Sequence, residues 1–151
     1  MGADRAILGE TTTDLEPLAI ARTLRALIER EKPELVMMGK QAIDDDNNQT
    51  GQMLAALWDR PQATFVSELT LDAGAATAVR EVDAGLEVIE VDLPAVITSD
   101  LRLNEPRYVK LPEIMKAKKK ALNVLPLAEL GVDTTAHFEV VATEPPAKRP
   151  K

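Results

Sequence analysis

The chain has 151 residues, 45% of them apolar and 28% charged, which suits one soluble domain with a sizeable core. Its net charge of -7 and pI near 4.8 argue against a general nucleic-acid binder, and no apolar run is long enough to span a membrane. It has no cysteine, which excludes disulfides and thiolate chemistry, and the single histidine, His137, lies beside Phe138 near the end of the chain.

In chain order, Gly9 to Thr13 reads as a loop. Asp14 to Pro17 supply a cap, an early acid and an early proline for a helix. Ile20, Leu24, Leu27 and Ile28 then recur at helical spacing and form one buried face, and Pro33 stops the helix. Leu35-Val36-Met37-Met38 carries no charge and reads as a strand buried on both faces. Strand, helix, strand, loop, helix predicts a βαβα unit on a parallel sheet.

The loop after that strand runs Gly39, Lys40, Gln41, Ala42, Ile43, Asp44, Asp45, Asp46, Asn47, Asn48, Gln49, Thr50, and leads into the helical pattern Met53, Leu54, Leu57, Trp58. Loops at the carboxyl ends of parallel strands line the ligand crevice of such folds. Gly39 lets the chain turn, Asn47 or Asn48 caps the helix, and the free N–H groups near Gln49, Thr50 and Gly51 suit a phosphate. The three carboxylates oppose an anion unless they point toward ribose hydroxyls, Lys40 or water. A Mg²⁺ site and an acidic turn with no ligand are the other readings of these residues.

Beyond Arg60-Pro61 the period becomes two. Phe65, Leu69 and Leu71 alternate with Thr64, Glu68 and Thr70, and the turn signal Asp83-Ala84-Gly85 separates Val79–Val82 from Leu86–Leu93, so an antiparallel hairpin or meander is expected, with Ala73 to Ala76 as a loose tip. Leu93 to Thr98 reads as a buried strand and Ser99 to Leu111 as a loop feeding a short helix. Glu113 at the start of that helix and Lys116, Lys118, Lys119 and Lys120 at its end match the helix dipole. Leu111, Ile114 and Met115 beside the lysines read either as part of a well-capped surface helix or as a greasy anchor with an electrostatic rim. Phe138-Glu139-Val140-Val141 reads as a last strand, and Pro145-Pro146 ends the fold.

The strings Gly39 to Met53, Leu93-Pro94-Ala95-Val96, Asp100 to Tyr108 and Leu111 to Lys120, in that order, resemble the β subunit of electron transfer flavoprotein over nearly the whole chain to Pro146. The resemblance implies a Rossmann-like α/β fold of the adenine nucleotide α-hydrolase type with an added antiparallel hairpin, occupying residues 1–146, and a disordered basic tail over 147–151. It implies that Met1 to Leu8 is the end of a helix followed by a strand, that the fold is N-terminally truncated with Met1 at an internal methionine of the usual subunit, and that an arm follows in the usual subunit where this chain stops. It further implies structural AMP bound by Gly39 to Thr50 and FAD held mainly by an α subunit. Electrons would pass from acyl-CoA and related dehydrogenases to a membrane quinone reductase. The subunit would have no catalytic residues of its own, no nucleic-acid partner and no direct membrane insertion. It would lie in the cytoplasm of a bacterium or the mitochondrial matrix of a eukaryote.

By the same resemblance Leu111, with Pro112, Ile114 and Met115, anchors partner dehydrogenases, Lys116 and Lys119 are modifiable lysines, and Glu81 meets an arginine of the α subunit's mobile flavin domain. The alternative from another class is a stand-alone adenine-nucleotide binding or sensing module. An enzyme activating a nucleotide α-phosphate lacks support, because the chain has neither a glycine-rich ATP loop nor a catalytic histidine or cysteine.

Overall fold

The computed structural model describes residues 2–147; of the tail expected at 147–151, all but Ala147 lies outside the described residues. The elements are β1 (Ala6–Glu10), α1 (Pro17–Glu31), β2 (Leu35–Gly39), α2 (Thr50–Trp58), β3 (Gln62–Asp72), β4 (Ala75–Val82), β5 (Gly85–Asp92), β6 (Ala95–Ser99), α3 (Leu111–Ala117) and β7 (Leu122–Pro126), followed by a 3₁₀ turn at Leu127–Leu130. Helices thus alternate with strands in the first half and a three-strand meander follows, as the periodicities predict.

The strands form a five-stranded sheet of order β2-β6-β3-β4-β5 and a separate parallel pair, β1-β7. In the larger sheet β2, β6 and β3 run parallel, while β3, β4 and β5 are antiparallel. This is the mixed α/β, Rossmann-like architecture with an added antiparallel hairpin. β6 is the middle strand of the parallel part: Ala95, Val96, Ile97 and Thr98 are all buried, because strands flank both edges and side chains cover both faces. On one face Ala21 and Ile28 of α1 and Leu54 and Ala55 of α2 pack around Val96, with Val36, Met38 and Trp58 at the margin. On the other, Ala63, Val66, Ala78 and Ile97 form a second cluster with Leu35, Leu69, Ile89 and Leu103.

Several local expectations change in this setting. β2 is an edge strand rather than one buried on both faces, and its Met37 is exposed, because β1 pairs with β7 and leaves one side of β2 without a ladder among the described residues. Leu24 and Leu27 are only half-buried, since they line an open cavity between β1 and β2 with Ile7, Leu35 and Val36; the most buried α1 positions are Ala19, Ala21, Thr23 and Ile28. α1 is preceded at its cap position by Glu16, not capped by Asp14, and the Glu16 carboxylate serves another purpose: it accepts from the His137 backbone N–H and pairs with the His137 ring.

β1 extends through Gly9 and Glu10, which the sequence assigns to the loop, because its parallel ladder with β7 reaches Glu10↔Pro126. Ala75 and Ala76 belong to β4, with Ala76 fully buried, so the tip between β3 and β4 shrinks to Ala73-Gly74, where Gly74 takes the positive φ that the turn demands. Phe138 to Val141 is not a strand; no sheet edge meets it, and Phe138, Val140 and Val141 are exposed. Among the described residues no helix is long and apolar enough to cross a membrane.

Candidate functional site

The loop from β2 to α2 is set by its two ends. At the entry, the Lys40 N–H donates to the Ser99 carbonyl (3.1 Å) and the Ser99 hydroxyl donates to the Met38 carbonyl (3.3 Å), so the mouth of β2 is fastened to that of β6. At the exit, Gly51 brings α2 hard against the sheet: a Cβ there would fall 2.5 Å from Thr98 Cγ2 and 3.3 Å from Met38 Sδ. Any larger residue would lift the helix off β6. The sequence signal for this contact was a glycine in the first turn of a helix, where it is otherwise unfavourable.

The turn itself is made without Gly39. That residue has no positive φ and its α-carbon has room for a side chain; Asp46 (φ +56°) and Asn48 (φ +49°) take the left-handed conformations instead, which their short polar side chains tolerate. The expectation that Gly39 provides the turn is therefore corrected. So is the cap: Gln49, not Asn47 or Asn48, occupies the position before α2, and no side chain caps the helix. The Asn48 side chain accepts from Gln52 Nε2 at 2.9 Å instead.

The three aspartates are turned into the loop's own scaffold. Asp44 accepts from the Asp45 N–H (3.0 Å), Asp45 from the Asn47 N–H (3.2 Å), and Asp46 from the Gln41 amide. None pairs with Lys40. Among the described residues no group of three or more His, Asp or Glu is placed to hold a metal.

A cavity of about 320 Å³ opens beside the loop, lined by Ile20, Met38 to Ala42, Asp45 and Asn47 to Gly51. That is at the low end of the range for small-molecule sites, roughly 300–1,000 Å³. Nine of the twelve expected loop residues line it; Ile43, Asp44 and Asp46 do not, and Ile43 stands fully exposed. Ile20 of α1, read from the sequence as core, is one wall. The uncapped end of α2 meets this cavity at Gln49, Thr50 and Gly51, so first-turn N–H groups lacking an intrahelical partner face a space sized for a ligand.

The sequence missed Asp100. It ends the buried run of β6, is 6% exposed, and binds Lys40 Nζ at 2.8 Å through one oxygen and Arg102 Nε at 3.0 Å through the other. The Lys40 ammonium and the Arg102 guanidinium hold its carboxyl well below the usual carboxylate range. A carboxylate directly after the uncharged strand Ala95–Ser99 was the available signal. Lys40 also stands over the Phe65 ring, 5.5 Å from its centroid, within cation–π range. Phe65 has φ +59° at a register shift of β3 against β6, and its N–H donates to Thr98 Oγ1 at 3.3 Å. A positive φ is rare for a bulky residue, and here the surrounding bulge imposes it.

Glu81, near the end of β4, pairs with the Arg102 guanidinium. Lys40, Asp100, Arg102 and Glu81 thus form one chain of charges from the loop to the rim of the meander. The residues expected from the sequence to dock partners stand elsewhere, on α3. Leu111 is the first residue of that helix and Pro112 the second; Glu113 accepts from the Lys110 N–H at 3.3 Å and closes the start. A residue before proline is biased toward an extended backbone, but Leu111 is helical here, and it is 70% exposed, with Met115 one turn on also exposed and Ile114 half-buried. Lys116 lies in the last turn and Lys119 just past the end, where Lys120 reaches back to the Ala3 carbonyl.

Comparison with known proteins agrees with the strings in the sequence. Residues 1–130 match the family described as Electron transfer flavoprotein domain. The chain is 54% identical over 149 residues to electron transfer flavoprotein subunit beta of Bradyrhizobium diazoefficiens, 53% over 153 residues to that of Homo sapiens, and 55% over 152 residues to the mitochondrial one of Arabidopsis thaliana. Each match takes in 99% of this chain and 60, 60 and 61% of the respective relative, so the chain spans about three-fifths of the length of the relatives it matches.

Proposed function

The chain belongs to the electron transfer flavoprotein domain family, and from that membership we infer that it is the nucleotide-binding and partner-docking part of a β-type subunit, a carrier component rather than an enzyme. In this reading the loop Gly39 to Thr50 holds AMP as a structural group, and FAD is held mainly by an α-type subunit. With that subunit the protein would take electrons from acyl-CoA and related dehydrogenases and pass them to a membrane quinone reductase. A bacterial source would place it in the cytoplasm and a eukaryotic one in the mitochondrial matrix, in line with the mitochondrial relative.

The observation that carries the AMP assignment is the cavity at the uncapped start of α2. Its polar lining residues are Gln41, Asn47, Asn48, Gln49 and Thr50 together with Asp45 and Lys40, and of the two charged ones Asp45 accepts from the Asn47 N–H while Lys40 is engaged by Asp100. A phosphate there is met by helix N–H groups and the positive end of the dipole, without needing a free lysine. The aspartates fit this, since their carboxylates accept from the loop's own donors and two of the three lie outside the cavity lining.

The test is to release whatever nucleotide the folded protein carries and identify it by mass, then to titrate the emptied protein with AMP. Retention or rebinding of AMP is expected. No binding by folded protein at millimolar AMP would remove the assignment, while AMP binding by a chain that never assembles with a flavin-bearing subunit would favour the stand-alone adenine-nucleotide module.

Partner docking is assigned to α3. Leu111 and Met115 stand one turn apart, exposed on a helix that buries none of its residues, with Lys116 and Lys119 beside them as the modifiable lysines. Glu81 is assigned to contact an arginine of the partner subunit's mobile flavin domain.

A further inference from the structure

We propose that Arg102 is an internal stand-in for the partner's cation: it occupies Glu81 in the resting chain and gives it up to a guanidinium from a docking partner, while staying anchored to Asp100. The inference deepens the reading of Glu81 as a partner contact and rests on it.

The two ends of the Arg102 fork are held unequally. Nε donates to Asp100, whose side chain is 4% exposed and whose second oxygen is fixed by Lys40. The Nη groups meet Glu81 where both side chains are about half exposed, 52% for Arg102 and 43% for Glu81. An exposed ion pair is weak and solvent-screened, whereas a hydrogen bond to a buried, doubly partnered carboxylate is not. Arg102 can therefore release Glu81 without becoming an unpaired cation, which makes the exchange inexpensive at one end only.

The surroundings select what replaces it. Glu81 opens on a cavity of about 490 Å³, with Lys40, Phe65, Arg80, Val82, Asp83, Asp100 and Arg102 on its walls. Lys40 is engaged by Asp100 and Arg80 lies 3.2 Å from Glu87, so those cations are balanced within the chain. Asp83 has no ion pair among the described residues, and with Arg102 withdrawn Glu81 joins it as a pair of uncompensated carboxylates on the rim. The fitting occupant is a cation; a planar guanidinium reproduces the fork that Arg102 presents, which an ammonium does not. An anionic segment would meet both carboxylates and is excluded by charge.

The exchange is tested on the folded chain with N-acetyl-arginine amide as a soluble guanidinium, following the Glu81 carboxyl by NMR in the wild type, Arg102→Gln, Arg102→Lys and Glu81→Gln/Arg102→Gln. Removing the competitor should tighten probe binding roughly two- to five-fold. Arg102→Lys should fall between the wild type and Arg102→Gln, and the double variant should lose the effect. Equal affinity in the wild type and Arg102→Gln overturns the exchange while leaving Glu81 as a cation site. No response of Glu81 in any variant overturns the exchange together with the partner-contact reading. The amide spectrum of each variant confirms that it remains folded, which the exposure of Arg102 leads one to expect.

Discussion

Lys40 Nζ donates to Asp100 Oδ2 across 2.8 Å, and this single bond joins the root of the candidate nucleotide loop to the residue that follows β6. Lys40 lines both the cavity beside α2 and the cavity beside Glu81. The lysine is thus a wall between two sites, and its partner Asp100 decides where that wall stands.

Replacing Asp100 should destabilise the protein in a pH-dependent way. Its folded-state pKa is depressed, so its contribution is fully present above the unfolded value, ~4, and is lost as pH falls below that toward the folded value. Asp100→Asn should cost about 2 kcal/mol at pH 7, since Lys40 and Arg102 can turn to water once released. Thermal unfolding of both proteins from pH 7 to 3 should show the gap narrowing in acid; a gap that stays constant would mean that the carboxylate charge contributes nothing.

Gly51→Ala should cost ~1–3 kcal/mol and weaken AMP binding, because the added methyl meets Thr98 Cγ2 and pushes the start of α2 off the sheet. Thr98→Ser removes that methyl and keeps the hydroxyl that accepts the Phe65 N–H. The double variant should recover most of both losses in denaturant titration and nucleotide binding. Failure of the rescue would trace the damage to Met38 instead.

Leu111→Ala should change stability by less than ~0.5 kcal/mol, as expected for an exposed side chain. If the leucine inserts into a partner pocket, its burial is worth about 1.5–3 kcal/mol, roughly 10- to 150-fold in dehydrogenase affinity. Lys116→Gln and Lys119→Gln should instead slow association, with the difference fading at high salt. A large drop in melting temperature with unchanged dehydrogenase coupling would show that Leu111 serves the fold.

Glu16→Gln should loosen the segment around His137 from the start of α1. The His137 backbone N–H and ring lower the Glu16 pKa, so the clamp is held above the unfolded carboxylate value and released as pH falls through the folded one. Limited proteolysis at pH 7 should cut near His137 faster in the variant, and in the wild type more readily in acid than at pH 7. Equal cutting of the two proteins at pH 7 would assign the segment's position to Arg22 and Asp133, which pair at 3.1 Å.

What the sequence determined by itself was local. The helical recurrence of Ile20, Leu24 and Ile28, the period-two run after Pro61, the turn at Asp83-Ala84 and the acid at Glu113 each act through neighbours a few residues away, and each appears as an element or an element end. The loop was legible for the same reason, as a polar stretch between an apolar strand and an apolar helical pattern. Tertiary structure decided the rest. That β2 is an edge and β6 lies inside the sheet follows from pairing across distant sequence, since β6 follows the meander in the chain yet lies between β2 and β3. Asp100 read as one more polar residue in a loop until the sheet carried it to Lys40, 60 positions earlier. Gly51 and Thr98, and Arg102 and Glu81, likewise come together only in the fold, because steric contact and charge pairing depend on distance in space, whereas periodicity reports only distance along the chain.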